Sequence, residues 1–173
     1  MLNIFGEERF KPLVRFGKEI PGYYVSKEGE IYSSKSNKFM THTQNFEYYA
    51  SGRKRLKCLT TACRVPRGFY EDFEHSAGTS TLIQEKYNFT TSKIRIDIHR
   101  AVMETWKPID KYPPESLADE WDGAPECFKQ WVRDTAFIDH IDNDPSNNSI
   151  DNLRWVTPLQ NHYRRKQVEY ELK

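Results

Sequence analysis

The 173-residue sequence predicts an α+β fold, and three stretches carry that prediction. Residues 20–43 place aromatic and β-branched residues on both sides of a glycine-containing turn, which is the pattern of a β-hairpin. Isoleucines alternate with polar residues over residues 94–98, as in a strand, and the apolar spacing then changes to that of a helix face. Residues 136–169 follow the order strand, polar loop, strand and helix.

The first half of the chain is predicted to be rich in β-structure. The hairpin turn lies at residues 27–29, and the polar segment 70–90 is predicted to be a loop. Because the hydrophobic pattern changes at Lys93, we expect two regions. A β-rich, basic region covers residues 1–92, and a second region covers residues 93–173.

Two helices are predicted ahead of the final unit. The first ends before Pro108, because proline cannot continue a helix. Its apolar face comprises Ile98, Ala101, Val102, Thr105 and Trp106. The second covers residues 125–135. Its apolar side comprises Phe128, Trp131 and Val132.

The final unit is predicted to be a hairpin packed on a helix. Residues 136–141 and 153–156 form the two strands, and the loop between them is rich in Asn and Asp, which favour turns. Thr157 is suited to cap the following helix, with Pro158 at its first position. That helix is expected to extend to about Glu169.

The net charge of +1 conceals an uneven distribution. Residues 35–69 have a net charge of +7, residues 109–151 have −8, and residues 152–173 have +3. A nucleic-acid-binding protein needs positive surface where the phosphates lie rather than a positive total. The basic segment therefore fits a nucleic-acid backbone, with a solvated charged face as the alternative.

Composition argues for a folded protein without a membrane span. Ten phenylalanines, ten tyrosines and four tryptophans are far more than disordered chains carry. No stretch approaches the roughly 18 apolar residues that a membrane-spanning helix needs. We therefore expect a soluble, cytoplasmic protein with no membrane partner.

The three cysteines do not suffice for a disulfide framework. Cys58 and Cys63, with His75 downstream, could suggest zinc, but a structural zinc site usually needs a second pair of ligands. Free thiols are therefore the favoured interpretation, and Cys127 is the third of them.

Four polar residues of the final unit can act together in chemistry. Asp139 and Asn161 offer oxygen ligands of the kind that Mg²⁺ prefers. His140, if neutral, can take a proton from a water that attacks phosphorus. Asn152 can form a hydrogen bond that fixes the direction and tautomer of the imidazole. Asp142 and Asp144 are expected in turns, with an auxiliary metal role as the alternative.

Residues 138–161 closely resemble the His-Asn-His (HNH) homing endonucleases common in bacteriophages. In these enzymes an Asp-His pair, a central Asn-Leu-x-Trp-Val and a final polar ligand recur. The resemblance implies an HNH nuclease domain over residues 93–173, with a ββα-metal core over about residues 136–169, and a DNA-recognition region over residues 1–92. It also implies a site-specific, phage-encoded DNA endonuclease that hydrolyses phosphodiester bonds with one Mg²⁺ or Mn²⁺ per active site.

The resemblance assigns a role to each motif position. Asp139 matches the family's metal ligand, His140 its general base, and Asn152 the central residue that orients the base. Asn161 matches the second metal ligand, because the family's Gln-Asn ending favours it over the adjacent His162.

Two further segments are similar to parts of such enzymes. Residues 98–106 resemble the His-Arg-x-Val segment that often precedes the nuclease core, where His99 is expected to pack or to contact phosphate. Residues 19–33 are similar to a small N-terminal module.

A nuclease must also hold the DNA backbone, and Lys and Arg contacts to phosphate supply much of the affinity. The residues expected to do so are Arg53, Lys54, Arg55, Lys57, Arg154, Arg164, Arg165 and Lys166. We expect double-stranded DNA as the partner, no small-molecule cofactor, and a monomer or a weak, DNA-dependent dimer. The alternatives are a catalytically silent DNA-binding protein and a nuclease that acts on RNA or branched DNA.

Overall fold

The structure, a computed structural model, describes residues 9–48, 52–66, 69 and 91–171. Within these ranges the fold is α+β, as predicted, with three antiparallel sheets and three α-helices. None of the helices among the described residues is long and apolar enough to cross a membrane. The predicted loop at residues 70–90 lies outside the described part of the chain.

The first sheet has four strands in sequential order. They are β1 (Phe10–Arg15), β2 (Lys18–Ser26), β3 (Ile31–Ser33) and β4 (Lys38–Phe39). The predicted hairpin is confirmed, since Val25 of β2 pairs with Ile31 of β3 across the turn at residues 27–29. Alternate residues of β2 and β3, such as Tyr23, Val25 and Ile31, are buried, as expected for a sheet with one face on the core.

The second sheet has three strands. They are β5 (Thr43–Tyr48), β6 (Lys54–Pro66) and β7 (Thr91–Asp97). β6 and β7 are paired along the whole of β7, from Pro66 opposite Thr91 to Thr60 opposite Asp97. The region boundary predicted between residues 92 and 93 lies within β7, a strand that is hydrogen-bonded to β6.

The helix α1 (Ile98–Trp106) continues directly from β7. Ile94 and Ile96 are buried in the strand and Ile98 is buried in the helix, so one apolar row runs across the junction. The predicted helix is confirmed. At its C-terminal end the Lys107 N–H donates a backbone hydrogen bond to the Met103 carbonyl, just before Pro108. Its buried face comprises Ile98, Ala101, Val102 and Met103.

Polar contacts join α1 to the first sheet. The carboxylate of Glu104 forms an ion pair with the buried Arg15 of β1 and accepts a 2.8 Å hydrogen bond from the Phe16 N–H. Next to it along the helix, the Thr105 hydroxyl accepts a 2.9 Å hydrogen bond from the Val14 N–H. Because the Glu104 charge is paired in a largely buried setting, removing one partner would leave the other uncompensated.

The helix α2 (Glu126–Thr135) also lies where the sequence predicts it. The predicted apolar side is only partly buried, however. Val132 is buried, but Phe128 and Trp131 are exposed and stack on each other with their ring centroids 6.1 Å apart. Of the three residues on this side, only Val132 therefore belongs to the buried core.

The final unit has the predicted order of strand, loop, strand and helix. The hairpin strands β8 (Phe137–His140) and β9 (Leu153–Val156) precede α3 (Pro158–Glu171). Thr157 caps α3, since its hydroxyl accepts from the Gln160 N–H at 3.3 Å while the Gln160 side chain accepts from the Thr157 N–H at 2.9 Å. This reciprocal pair is a capping box, which satisfies amides that the first helical turn leaves unbonded.

The first sheet contacts the loop of the final unit directly. The Ile150 N–H donates to the Lys27 carbonyl in the β2–β3 turn at 2.7 Å, and the ammonium of Lys107 donates to the Ile150 carbonyl at 3.0 Å. Gly29 has a positive φ of 89°, and a Cβ added there would lie 3.0 Å from the Cγ2 of Ile98 in α1 and 3.1 Å from the Cβ of Asn148. The turn therefore needs glycine for its backbone conformation and for this close approach.

Replacing Gly29 with alanine should therefore destabilise the protein more than the same change at Gly17. Both glycines have positive φ, but a Cβ at Gly17 would meet nothing within 4 Å. The shared backbone strain costs about 1–2 kcal/mol, and the crowding at Gly29 should add about 1–3 kcal/mol. Urea unfolding of Gly29→Ala and Gly17→Ala measures the free energy of unfolding that each variant loses. Equal losses would show that a side chain at position 29 is not crowded by its neighbours Ile98 and Asn148.

Candidate active site

An open cleft of about 230 Å³ lies between the β5–β6 hairpin and the final unit. From the hairpin it is lined by Glu47, Arg55, Leu56 and Lys57. From the final unit it is lined by Phe137, Ile138, Asp139, His140, Asn143, Pro145, Asn161 and Arg164. The cleft thus gathers three of the four motif residues and places basic side chains of a distant strand beside them.

Asp139 is fixed by two arginines. It lies opposite Arg154 in the β8–β9 ladder, and the Nε and one terminal nitrogen of Arg154 each lie 3.0 Å from its Oδ2. A nitrogen of Arg164 on α3 lies 3.2 Å from the same oxygen. Its other oxygen, Oδ1, has no hydrogen bond with the described residues. The side chain is only 11% exposed, so its free oxygen has a defined direction.

The two arginines that contact Asp139 are residues for which the sequence predicts contacts with DNA. Arg154 and Arg164 were expected to contact DNA, and here they neutralise a carboxylate. Arg164 also donates to the Ile141 carbonyl at 2.5 Å, and its buried Nε has no partner among the described residues. The side chains of Arg165 and Lys166 lie outside the described part of the structure.

Asn161 lies in the first turn of α3 and lines the cleft with Asp139. Its side chain has no hydrogen bond with the described residues, so its amide oxygen is available. His162 is exposed and lies against Tyr163, with ring centroids 6.0 Å apart, and it does not line the cleft.

A carboxylate oxygen and an amide oxygen form a donor set that suits a hard divalent cation. No group of three or more His, Cys, Asp or Glu residues able to hold a metal occurs within the described ranges. A metal on Asp139 and Asn161 would therefore need further oxygens from solvent or substrate. This requirement fits Mg²⁺, which usually keeps several waters or binds phosphate oxygens.

His140 ends β8 and is held on two sides. Its Nε2 lies 3.2 Å from the Oδ1 of Asn148, a buried residue of the β8–β9 loop. The ring of His99, at the start of α1, meets the His140 ring edge-on with centroids 5.5 Å apart. Burial lowers the pKa of His99 well below its ordinary value, and the charge of Arg100 lowers it further. His99 is therefore a neutral packing neighbour, in line with the packing role that was one of its two expectations.

Asn152 does not make the contact predicted for it. Its Oδ1 accepts from the Asp142 N–H at 3.0 Å, and its Nδ2 donates to the Asp142 carboxylate and to the Asn147 carbonyl, both at 2.9 Å. The amide that meets the imidazole belongs to Asn148 instead. Asn152 holds the loop in shape, so its influence on His140 is indirect.

Asp142 and Asp144 are turn residues, as expected. Asp142 accepts from the Asp144 N–H at 2.8 Å and from the Asn147 side chain at 2.7 Å. Asp144 accepts from the hydroxyl and N–H of Ser146. The pKa of Asp142 is lowered chiefly by the hydrogen bond from the Asp144 N–H. The pKa of Asp144 is lowered by the hydrogen bonds from Ser146.

An irregularity in the second sheet brings the basic strand to the cleft. Asn45 pairs with Cys58 and the next residue, Phe46, pairs with Leu56, so Lys57 is an extra residue in β6. Such a bulge changes side-chain direction locally, and three consecutive residues, 55–57, line the cleft. The alternation of residues along a regular strand does not predict that three consecutive side chains line the same cleft.

The two remaining residues of the predicted basic run do not line the cleft. Arg53 is exposed just before β6, and the ammonium of Lys54 lies 3.7 Å above the ring of Phe46. Sequence reasoning also missed Glu47 and Asn148, which carry no recognisable motif of their own.

Residues 132–163 match the family described as HNH endonuclease. The resemblance seen over residues 138–161 is thereby confirmed for this part of the chain. A search of curated protein sequences gives no match. Among solved structures, the chain is similar to the HNH homing endonuclease I-HmuI, in a structure on DNA binding and cleavage by that enzyme, with 22% identity and a TM-score of 0.46. The alignment covers 93% of this chain and 59% of that chain.

The cysteines occur as free thiols. Burial raises the pKa of the Cys58 thiol, and the charge of Asp97 raises it further. Burial raises the pKa of Cys63 to about 12, whereas Cys127 is exposed. The third residue of the zinc alternative, His75, lies outside the described residues.

Only Cys127 should therefore react quickly with Ellman's reagent in the native protein, because the thiolate is the reactive form. Titration of the native protein at neutral pH should release one equivalent of chromophore, and titration in denaturant should release three, the number of cysteines in the chain. The Cys127→Ser variant should lose the fast phase. Rapid reaction of a second thiol in that variant would contradict the burial of the other two.

Proposed function

We propose that this protein is a site-specific, divalent-metal-dependent DNA endonuclease of the homing type. The observation that carries the proposal is one cleft that contains the Asp139 carboxylate, the His140 imidazole and the Asn161 amide, in a segment matching HNH endonucleases. A carboxylate and an amide can hold a metal ion, and an imidazole can move a proton. Together they can supply the metal ligands and the general base for phosphodiester hydrolysis.

His140 is proposed as the general base. It would accept a proton from a water molecule as the water oxygen attacks phosphorus, and the bond from phosphorus to the 3′-oxygen would break. The imidazole has one nitrogen engaged by Asn148, so its second nitrogen is the one available to the water. General-base catalysis of this kind contributes about 10²–10⁴-fold to the rate.

Asp139 and Asn161 are proposed to hold one Mg²⁺ or Mn²⁺ ion, which would supply Lewis-acid stabilisation of the charge on the phosphate and on the leaving oxygen. Arg154 and Arg164 support this assignment because both guanidinium groups contact Oδ2 and hold the carboxylate in one orientation. Oδ1 would be the oxygen available to the ion.

The partner is proposed to be double-stranded DNA. Arg55 and Lys57 stand on the wall of the cleft opposite the catalytic segment, so a backbone lying in the cleft would pass between them and His140. Arg53, Lys54, Arg165 and Lys166 are proposed to contact phosphates outside the cleft. Lys and Arg contacts to phosphate supply affinity without regard to sequence.

A nicking assay tests the reaction. We expect the protein to nick a supercoiled plasmid library with randomised inserts when Mg²⁺ or Mn²⁺ is present and not when EDTA is present. The variants Asp139→Ala and His140→Ala should each lower the rate by about 10²–10⁴-fold, with DNA binding retained. Gel mobility shifts measure that binding.

His162→Ala is the matched control for Asn161→Ala. The two residues are adjacent on α3, but only Asn161 lines the cleft. We expect Asn161→Ala to weaken cleavage and to raise the Mg²⁺ concentration needed for half-maximal activity, while His162→Ala leaves both nearly unchanged. The reverse result would move the metal ligand to His162. Binding by the wild type with no cleavage at all would identify a silent DNA-binding protein, and faster cleavage of RNA would identify an RNA nuclease.

Salt dependence tests the basic strand. Replacing Arg55 or Lys57 with Gln should weaken DNA binding and lower the slope of log K against log salt by about one for each phosphate that is no longer neutralised. Lys38→Gln is the control, since Lys38 is an exposed basic residue of β4 that does not line the cleft. A slope unchanged in all three variants would mean that residues 55–57 form only a solvated face.

A further inference from the structure

We propose that Asn148 is a positioning residue, whose amide oxygen holds His140 in the tautomer protonated at Nε2 and thereby reserves Nδ1 for the attacking water. This inference rests on the proposed role of His140 as the general base. It replaces the role that the sequence suggested for Asn152.

The orientation of the Asn148 amide follows from its second contact. Its Nδ2 donates to the Ser146 carbonyl at 3.1 Å, and a carbonyl oxygen can only accept. The other end of the amide, Oδ1, must therefore face the imidazole, at 3.2 Å from Nε2. Since Oδ1 also can only accept, the neutral imidazole has to carry its proton on Nε2.

This tautomer leaves a lone pair on Nδ1. The nitrogen makes no hydrogen bond with any residue in the described ranges, and His140 lines the cleft. The edge-on contact with the His99 ring limits rotation of the imidazole from the other side. His140 thus presents one accepting nitrogen in one direction, which is what proton abstraction from a positioned water requires.

Asn148 can hold the ring because it is itself held. It is 4% exposed, and the β2–β3 turn packs on it at Gly29. Two residues further along the loop, the Ile150 N–H is bonded to the Lys27 carbonyl of the same turn. The first sheet therefore fixes the position of the amide, although it lies more than a hundred residues away in sequence.

Two substitutions separate the contact with His140 from the contact with Ser146. Asn148→Asp keeps an accepting oxygen for Nε2 but removes the donor to the Ser146 carbonyl. Asn148→Leu has a similar size and removes both groups. A role limited to supporting the loop predicts that the two variants behave alike, whereas a positioning role predicts that only the Leu variant changes His140.

The first readout is the tautomer itself, in metal-free protein without DNA. Long-range nitrogen–proton correlation NMR distinguishes the two neutral tautomers, and comparison with His140→Ala assigns the signals. At a pH where the imidazole is neutral, the wild type and Asn148→Asp should show the Nε2-protonated form. Asn148→Leu should show a mixture of both forms. A single, unchanged tautomer in Asn148→Leu would overturn the proposal.

The second readout is the rate of cleavage. Asn148→Leu should lower kcat by about 10–100-fold, the usual reduction when a partner that orients a functional histidine is removed, and KM should stay nearly constant. Asn148→Asp should recover most of that activity, and equally low rates in both variants would overturn the proposal. If the wild type cleaves nothing, the proposed function fails, while the tautomer measurement still decides whether Asn148 sets the state of His140.

Discussion

The arrangement of the whole structure depends on the burial of α1. This helix contacts β1 and β2 of the first sheet, β6 and β7 of the second, and β8 and β9 of the final unit. Its buried residues Ile98, Ala101, Val102 and Met103 belong to one apolar cluster with residues of all three sheets. Because a close-packed interior resists small shifts, the three sheets are held in fixed relation to one another around this helix. The cleft is a consequence, since it lies where the second sheet and the final unit approach each other.

A second constraint is electrostatic and acts at Asp139. Arg154 and Arg164 direct their guanidinium groups to one oxygen of a carboxylate that is nearly buried. The local charge of these three side chains is therefore positive, which favours the approach of a phosphate. In the loop beyond β8, the Asp142 carboxylate accepts a hydrogen bond from the Asp144 N–H, and the Asp144 carboxylate accepts one from the Ser146 hydroxyl, so both carboxylates are engaged within the loop.

Features that depend only on neighbouring residues could be predicted from the sequence. The hairpin at residues 23–32, the helix from Ile98 and the cap at Thr157 depend on neighbours within a few positions, and each was found where expected. The sequence did not predict which amide of the Asn-rich loop meets His140, because Asn148 and Asn152 are four residues apart and the turns between them decide which side chain points inward. The exposure of Phe128 and Trp131 and the bulge at Lys57 are likewise set by tertiary contacts that periodicity does not record.

The course of β7 bears on how the proposed DNA binding and the proposed DNA cleavage are related in space. A division at residue 92 would assign them to separate units, joined by a linker whose length sets their distance. Instead β6, which carries Arg55 and Lys57, is paired with β7, and β7 continues without a break into α1 beside His140. The spacing between the basic strand and the imidazole is therefore a property of a hydrogen-bonded sheet and a buried helix. In the proposed function, a DNA backbone bound to that strand would meet His140 at one distance, so the fold would determine the position of the cut relative to the bound phosphates.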